Sequence, residues 1–168
     1  MVENKDFLPE YCSRPTLILG CGNILLGDDG FGPEVIAYLQ AHSSFQEEVS
    51  LMDAGTGVID ILFNIALSEV KPRRIVLVDT MESGLPPGKL SLLRLEAVRA
   101  RPLRTYSQHY LPTSTLLKEL QEIGGLEVEI LVMEPENIPE EIQPGLSPKA
   151  QEAVARACEI IVINYFRR

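Results

Sequence analysis

Closely spaced sulfur ligands are missing from this sequence. Its three cysteines, Cys12, Cys21 and Cys158, are scattered, odd in number and form no C-x-x-C pair, which argues against a disulfide framework and a zinc knuckle. An excess of basic charge is missing too. Fifteen lysines and arginines stand against 24 aspartates and glutamates, giving a net charge of -9, and such a chain is repelled by nucleic acid and by anionic membrane surfaces. A cationic, metal-bearing or protein partner suits it better. No apolar run approaches the length of a membrane span. The segment Met1 to Arg14, polar and carrying Glu3, Asp6 and Glu10, lacks the basic-then-apolar order of a secretion signal, so a cytoplasmic location is expected. Repeats, low-complexity tracts and long linkers are absent as well, and one compact domain over residues 15–168, preceded by a tail over 1–14, accounts for the chain.

What the sequence does hold is an alternation of short apolar runs with stretches of helical spacing, the pattern of strands and helices around a mainly parallel sheet. Thr16 to Leu19, Val49 to Met52, Ile75 to Val78 and Val128 to Met133 are rich in branched residues and read as strands buried on both faces. Lys89 to Leu95 follows the turn Pro86-Pro87-Gly88 and reads as a returning edge strand. Phe31 to Leu39 and Val58 to Leu67 each gather apolar residues on one helical face: Val35, Ile36 and Leu39 in the first, Ile61, Leu62 and Ile65 in the second. A third helix follows Thr113, and Ser147-Pro148 supplies an N-cap with proline in the first turn of a last helix that turns Val154, Cys158, Ile161 and Tyr165 inward. Its end, Ile160 to Ile163, reads equally well as a strand. The expected architecture is an α/β three-layer sandwich with helices on both faces of the sheet. Pro135 to Pro148 reads as a surface connection.

The segment from Gly20 to Gly32 follows the first strand and leads directly into a helix, the place where open α/β sheets bind ligands. Gly20 and Gly22 match the first two glycines of a dinucleotide fingerprint, and Asp53 ends the second strand where a ribose-binding acid would lie. The third glycine, however, falls at Leu25, and Asp28 and Asp29 bring two carboxylates to the helix start, where they would repel a pyrophosphate. One acid suffices to cap a helix. Asp28 is therefore assigned mainly to capping, with a secondary candidacy as a general base, and Asp29 is left free for a ligand.

Asp79 ends the third strand and should emerge at the same sheet edge as Asp29. His109 lies in the connection before the next helix and can reach that edge. Two carboxylates and one imidazole make a ligand set suited to nickel, zinc or iron, with coordination positions left open. His42, at a helix end, reads as a surface residue. Paired acids after a first strand and one after a third also describe a phospho-receiver module, but that module needs a lysine after a later strand, where this chain has Glu134. No serine or cysteine nucleophile has an adjacent histidine, and Cys21 reads as a small packed residue.

Gly20-Cys21-Gly22-Asn23-Ile24-Leu25-Leu26-Gly27-Asp28-Asp29-Gly30 resembles the amino-terminal motif of the hydrogenase maturation endopeptidases. Asp53-Ala54-Gly55-Thr56, Val78-Asp79 and His109 resemble that family's later motifs, in order, over nearly the whole domain. The resemblance implies an endopeptidase that removes the C-terminal extension of a nickel-loaded large-subunit precursor of a nickel–iron hydrogenase. It further implies metal ligation by Asp29, Asp79 and His109. The nickel is expected to arrive with the substrate, the resting enzyme being metal-free, and a monomer is expected. A homologue that keeps the fold but acts as a nickel-sensing or chaperone subunit is the alternative.

Overall fold

A computed structural model describes residues 9–43, 47–99 and 110–166. Five strands form one sheet: β1 (Thr16–Cys21), β2 (Val49–Gly55), β3 (Arg74–Thr80), β4 (Leu90–Arg94) and β5 (Glu127–Met133), in the order β2-β1-β3-β5-β4. Every pairing is parallel except that of β4 with β5, so the returning strand expected near Lys89 to Leu95 is the antiparallel edge.

Period-two alternation in the central strands divides their side chains between two cores. Leu17, Leu19 and Cys21 of β1, Ile75 and Leu77 of β3, and Val128, Ile130 and Val132 of β5 pack beneath α2 (Val58–Leu67) and, past the short α3 (Leu95–Arg99), α4 (Tyr110–Glu122). Ile18, Val76, Val78, Leu131 and Met133 face the other way, onto α1 (Phe31–His42) and α5 (Pro148–Ile161). The result is the three-layer α/β arrangement expected from the sequence. Continuous apolar runs in β1, β3 and β5 are what two-sided burial demands.

Four local features depart from or sharpen that reading. β2 is an edge strand rather than one buried on both faces: Ser50, Leu51 and Met52 are only partly covered and Asp53 is exposed, because the chain steps outward after α1 and then crosses back over β1 to form β3. The segment Ile160 to Ile163 is not a strand. It continues α5 into a π-helical turn, Val162–Phe166, that buries Tyr165 and Phe166 against the sheet. The cap at Ser147 is present, its hydroxyl accepting from the Ala150 amide at 3.3 Å with Pro148 behind it. Cys12, inside the segment read as a tail, joins the core beneath α2. Among the described residues, no helix is long and apolar enough to cross a membrane.

Candidate functional site

The strand order carries the first clue to the site. From β1 the chain goes to β2 on one side, then returns to place β3 on the other, so the two neighbours of β1 are reached in opposite directions. Between β1 and β3, α1 covers one face and α2 the other, which leaves a crevice at the carboxyl ends of these strands. The loop after β1 and the end of β3 border that crevice.

Backbone contact shapes the loop. Gly22 has φ of 125°, and a Cβ there would sit 1.8 Å from the Asp29 carbonyl oxygen, so only glycine lets the chain double back on itself. Gly32 opens α1 so close to the sheet that a Cβ would lie 2.3 Å from the carbonyl oxygens of both Cys21 and Val78. That contact takes the place of the third fingerprint glycine, and Leu25, which stands at the fingerprint position, points into solvent instead. A single 3-10 turn, Gly27–Gly30, then hands the chain to the helix.

Asp29 is partly exposed. Its Oδ2 accepts from the Asn23 amide at 2.9 Å and its Oδ1 from the Thr80 hydroxyl at 3.4 Å. Asp79, the residue before Thr80 on β3, accepts from the Thr80 amide at 2.7 Å. Burial pushes the Asp79 carboxyl up to about 7, against the one hydrogen bond that favours its charge, and the nearby Asp29 carboxylate adds to the rise. The structure thus brings Asp29 and Asp79 together at the β1/β3 crevice. His109 lies outside the described residues. Among those described, no three histidine, cysteine, aspartate or glutamate side chains are grouped to hold a metal.

Asp28 behaves differently from the capping reading. The residue at the start of α1 is Gly30, with no side-chain cap. Asp28 is instead 1% exposed, with its carboxylate turned toward the Pro135 to Pro148 connection. It accepts from the amides of Glu136 at 2.8 Å, Asn137 at 3.4 Å and Ser147 at 2.7 Å, and from the Ser147 hydroxyl at 2.9 Å. Four donors occupy both oxygens, which fits an anchor better than a base waiting for a proton. Glu134 is a second anchor that the sequence reading missed. It is buried at the end of β5 and accepts from the amide and hydroxyl of Ser83 and the amide of Gly84. An acid directly following a buried strand was the available signal. Because Glu134 is engaged in this way, the corner where a receiver module needs its lysine is filled.

Cys21 is buried beneath the site, and burial raises its thiol well above the usual range, with Asp79, Asp53 and Asp29 adding to the effect. A thiol held protonated is no nucleophile. His42 is exposed at the end of α1, stacked on Tyr38, away from the crevice.

With this geometry in view, the similarities to known proteins are informative. Residues 33–164 match the family described as hydrogenase maturation protease. The chain belongs to the hydrogenase maturation protease family. A relative from Methanocaldococcus jannaschii, itself assigned to these proteases, is 33% identical over 149 residues, covering 89% of this chain and 95% of its own. Another, from Methanothermobacter thermautotrophicus and named coenzyme F420 hydrogenase subunit delta, is 34% identical over 151 residues, covering 87% of this chain and 91% of its own. The hydrogenase maturating endopeptidase HybD from Escherichia coli superposes with a TM-score of 0.74 at 26% identity, over 88% of this chain and 90% of that one. As a hydrogenase maturation protease, the chain is a hydrolase of peptide bonds.

Proposed function

We propose that this endopeptidase removes the C-terminal extension of a nickel–iron hydrogenase large-subunit precursor after nickel has been inserted, and that the nickel of the substrate is what it recognises. The observation that carries this reading is the juxtaposition of Asp29 and Asp79 at the β1/β3 crevice, with the Asp79 carboxyl pushed up to about 7 by burial and, to a smaller extent, by the Asp29 carboxylate. Asp29, Asp79 and His109 complete the coordination of the arriving ion. Two carboxylates and an imidazole hold nickel less firmly than a thiolate cluster, so the ion stays with the substrate and the resting enzyme is metal-free. An unloaded precursor would face two acids without a counter-ion and is rejected by the same residues that accept the loaded one.

In the reaction, water adds to the scissile carbonyl carbon while an oxygen of the Asp29 and Asp79 pair that does not hold the ion takes its proton. The carbon–nitrogen bond then breaks and the proton passes to the leaving amine. The substrate nickel supplies the Lewis acidity for this step. The enzyme acts as a monomer in the cytoplasm.

Asp29→Ala, Asp79→Ala and His109→Ala are each expected to abolish the mass loss of a nickel-loaded precursor while leaving the circular dichroism spectrum unchanged. Full processing by any one of these variants would remove that residue from the site. The name of the Methanothermobacter relative favours a second reading, a stable hydrogenase subunit without peptidase activity. A lasting complex with uncut, nickel-loaded precursor would establish it.

A further inference from the structure

Beside the acidic pair lies an apolar surface that none of the described residues covers. Ile24 is 54% exposed, Leu25 44% and Ile142 74%. Single exposed aliphatic residues are ordinary, but a group of large ones held together signals an interaction. Here the backbone does the holding. The Gln143 amide donates to the Leu25 carbonyl at 2.8 Å and the Gly27 amide to the Gln143 carbonyl at 2.9 Å, forming a parallel bridge between Leu26 and Gln143. Leu25 and Ile142 each directly precede a partner of this bridge, so it draws the two residues to the same end of the paired segments. The Asp28 carboxylate, buried between the two segments, fixes that register from below.

The patch is continuous with the site. The Leu25 amide donates to the Asn23 side chain at 3.0 Å, and the Asn23 amide donates to Asp29. Ile24 and Leu25 therefore directly follow the residue that touches Asp29, which places them beside the acidic pair. The far rim is acidic, with Glu140 and Glu141 exposed directly before Ile142, on a molecule whose net charge is already -9.

We propose that Ile24, Leu25 and Ile142, rimmed by Glu140 and Glu141, form the docking surface for the precursor's own polypeptide beside its scissile bond, a segment of apolar side chains accompanied by lysine or arginine. This rests on the reading of the site as one for a hydrogenase precursor. The apolar contact supplies affinity that salt leaves alone, whereas the acidic rim steers the basic residues and is screened by salt. Contacts remote from the reacting bond that bind substrate and transition state alike lower KM without changing kcat.

The test uses nickel-loaded large-subunit precursor, with binding followed by fluorescence anisotropy and cleavage by C-terminal mass. The double variant Leu25→Ser/Ile142→Ser, and Ile142→Ser alone as the milder change, are compared with Ile123→Ser, which removes an 86% exposed isoleucine after α4. The double variant is expected to raise Kd and KM about tenfold, as loss of a small apolar anchor cluster does, with kcat within about twofold. Glu140→Lys/Glu141→Lys is expected to weaken binding at low salt and flatten its salt dependence. Ile123→Ser should match the unaltered enzyme. Unchanged Kd in both serine variants, with unchanged melting temperature, would overturn the docking surface. If the unaltered enzyme binds without cutting while the serine variants lose binding, the peptidase reading falls and the docking surface stands. If it neither binds nor cuts, both fall.

Discussion

Two neighbouring aspartates in one loop, Asp28 and Asp29, have opposite fates, and the difference lies in what surrounds each carboxylate. Asp28 is saturated by three amides and a hydroxyl, whereas Asp29 and its neighbour Asp79 have, among the described residues, three donors between them. That shortage has a sign that can be measured. Asp79 sits near 7 in the folded chain against an ordinary 3.8, so the folded state holds the proton more tightly than the unfolded one. Its contribution to stability is therefore present at low pH and is lost as pH rises from about 4 to about 7. Asp79→Asn, which can still accept from the Thr80 amide, is expected to stabilise the protein at pH 8 by about 1–3 kcal/mol. Melting curves of the two proteins should converge toward pH 4, and equal melting temperatures at pH 8 would contradict the assignment. Asp28→Ala is expected to cost about 2–3 kcal/mol in urea denaturation, since it leaves buried amides without an acceptor. Asp28→Asn should fare little better, because its NH2 would face donors.

These residues also mark how far the sequence could be read. Asp29 and Asp79 were legible because each follows a buried apolar run directly, and strand ends in such sheets are where ligands bind. The role of Asp28 was hidden because its partners lie 108 to 119 residues further along the chain, in a connection whose path no local pattern dictates. Separation along the chain likewise concealed the tie between Glu134 and Ser83, 51 residues apart.

At the scale of elements, the strands β1, β3 and β5 were readable from their unbroken branched residues, and the cap of α5 from Ser147-Pro148. The position of β2 at the edge was not, because Val49 to Met52 is as apolar as a central strand and only Asp53 hints otherwise. The approach of α1 to the sheet depends on Gly32. Gly32→Ala would place a methyl group 2.3 Å from two carbonyl oxygens that cannot yield without moving β1 and β3, so a loss of about 1–3 kcal/mol is expected in denaturant titration. The connection from Pro135 to Pro148 has little regular structure of its own and is tied down by Asp28 and the Leu26–Gln143 bridge. Limited proteolysis should nick Asp28→Ala within residues 136–146 sooner than the unaltered protein.

For the whole molecule, the two apolar layers enclose the sheet through side chains alone. With cores of this extent the fold is expected to hold without an ion, unlike small domains whose stability is borrowed from a metal. The melting temperature is therefore expected to be the same with and without a strong chelator, and a marked fall on chelation would show that a metal is structural. The chain's three sulfhydryls, finally, are all interior, at Cys12, Cys21 and Cys158, and burial raises each thiol above its usual range. On the proposed function, nickel carried in by a substrate meets only buried, protonated thiols among this chain's cysteines, and these are poorer ligands than thiolates.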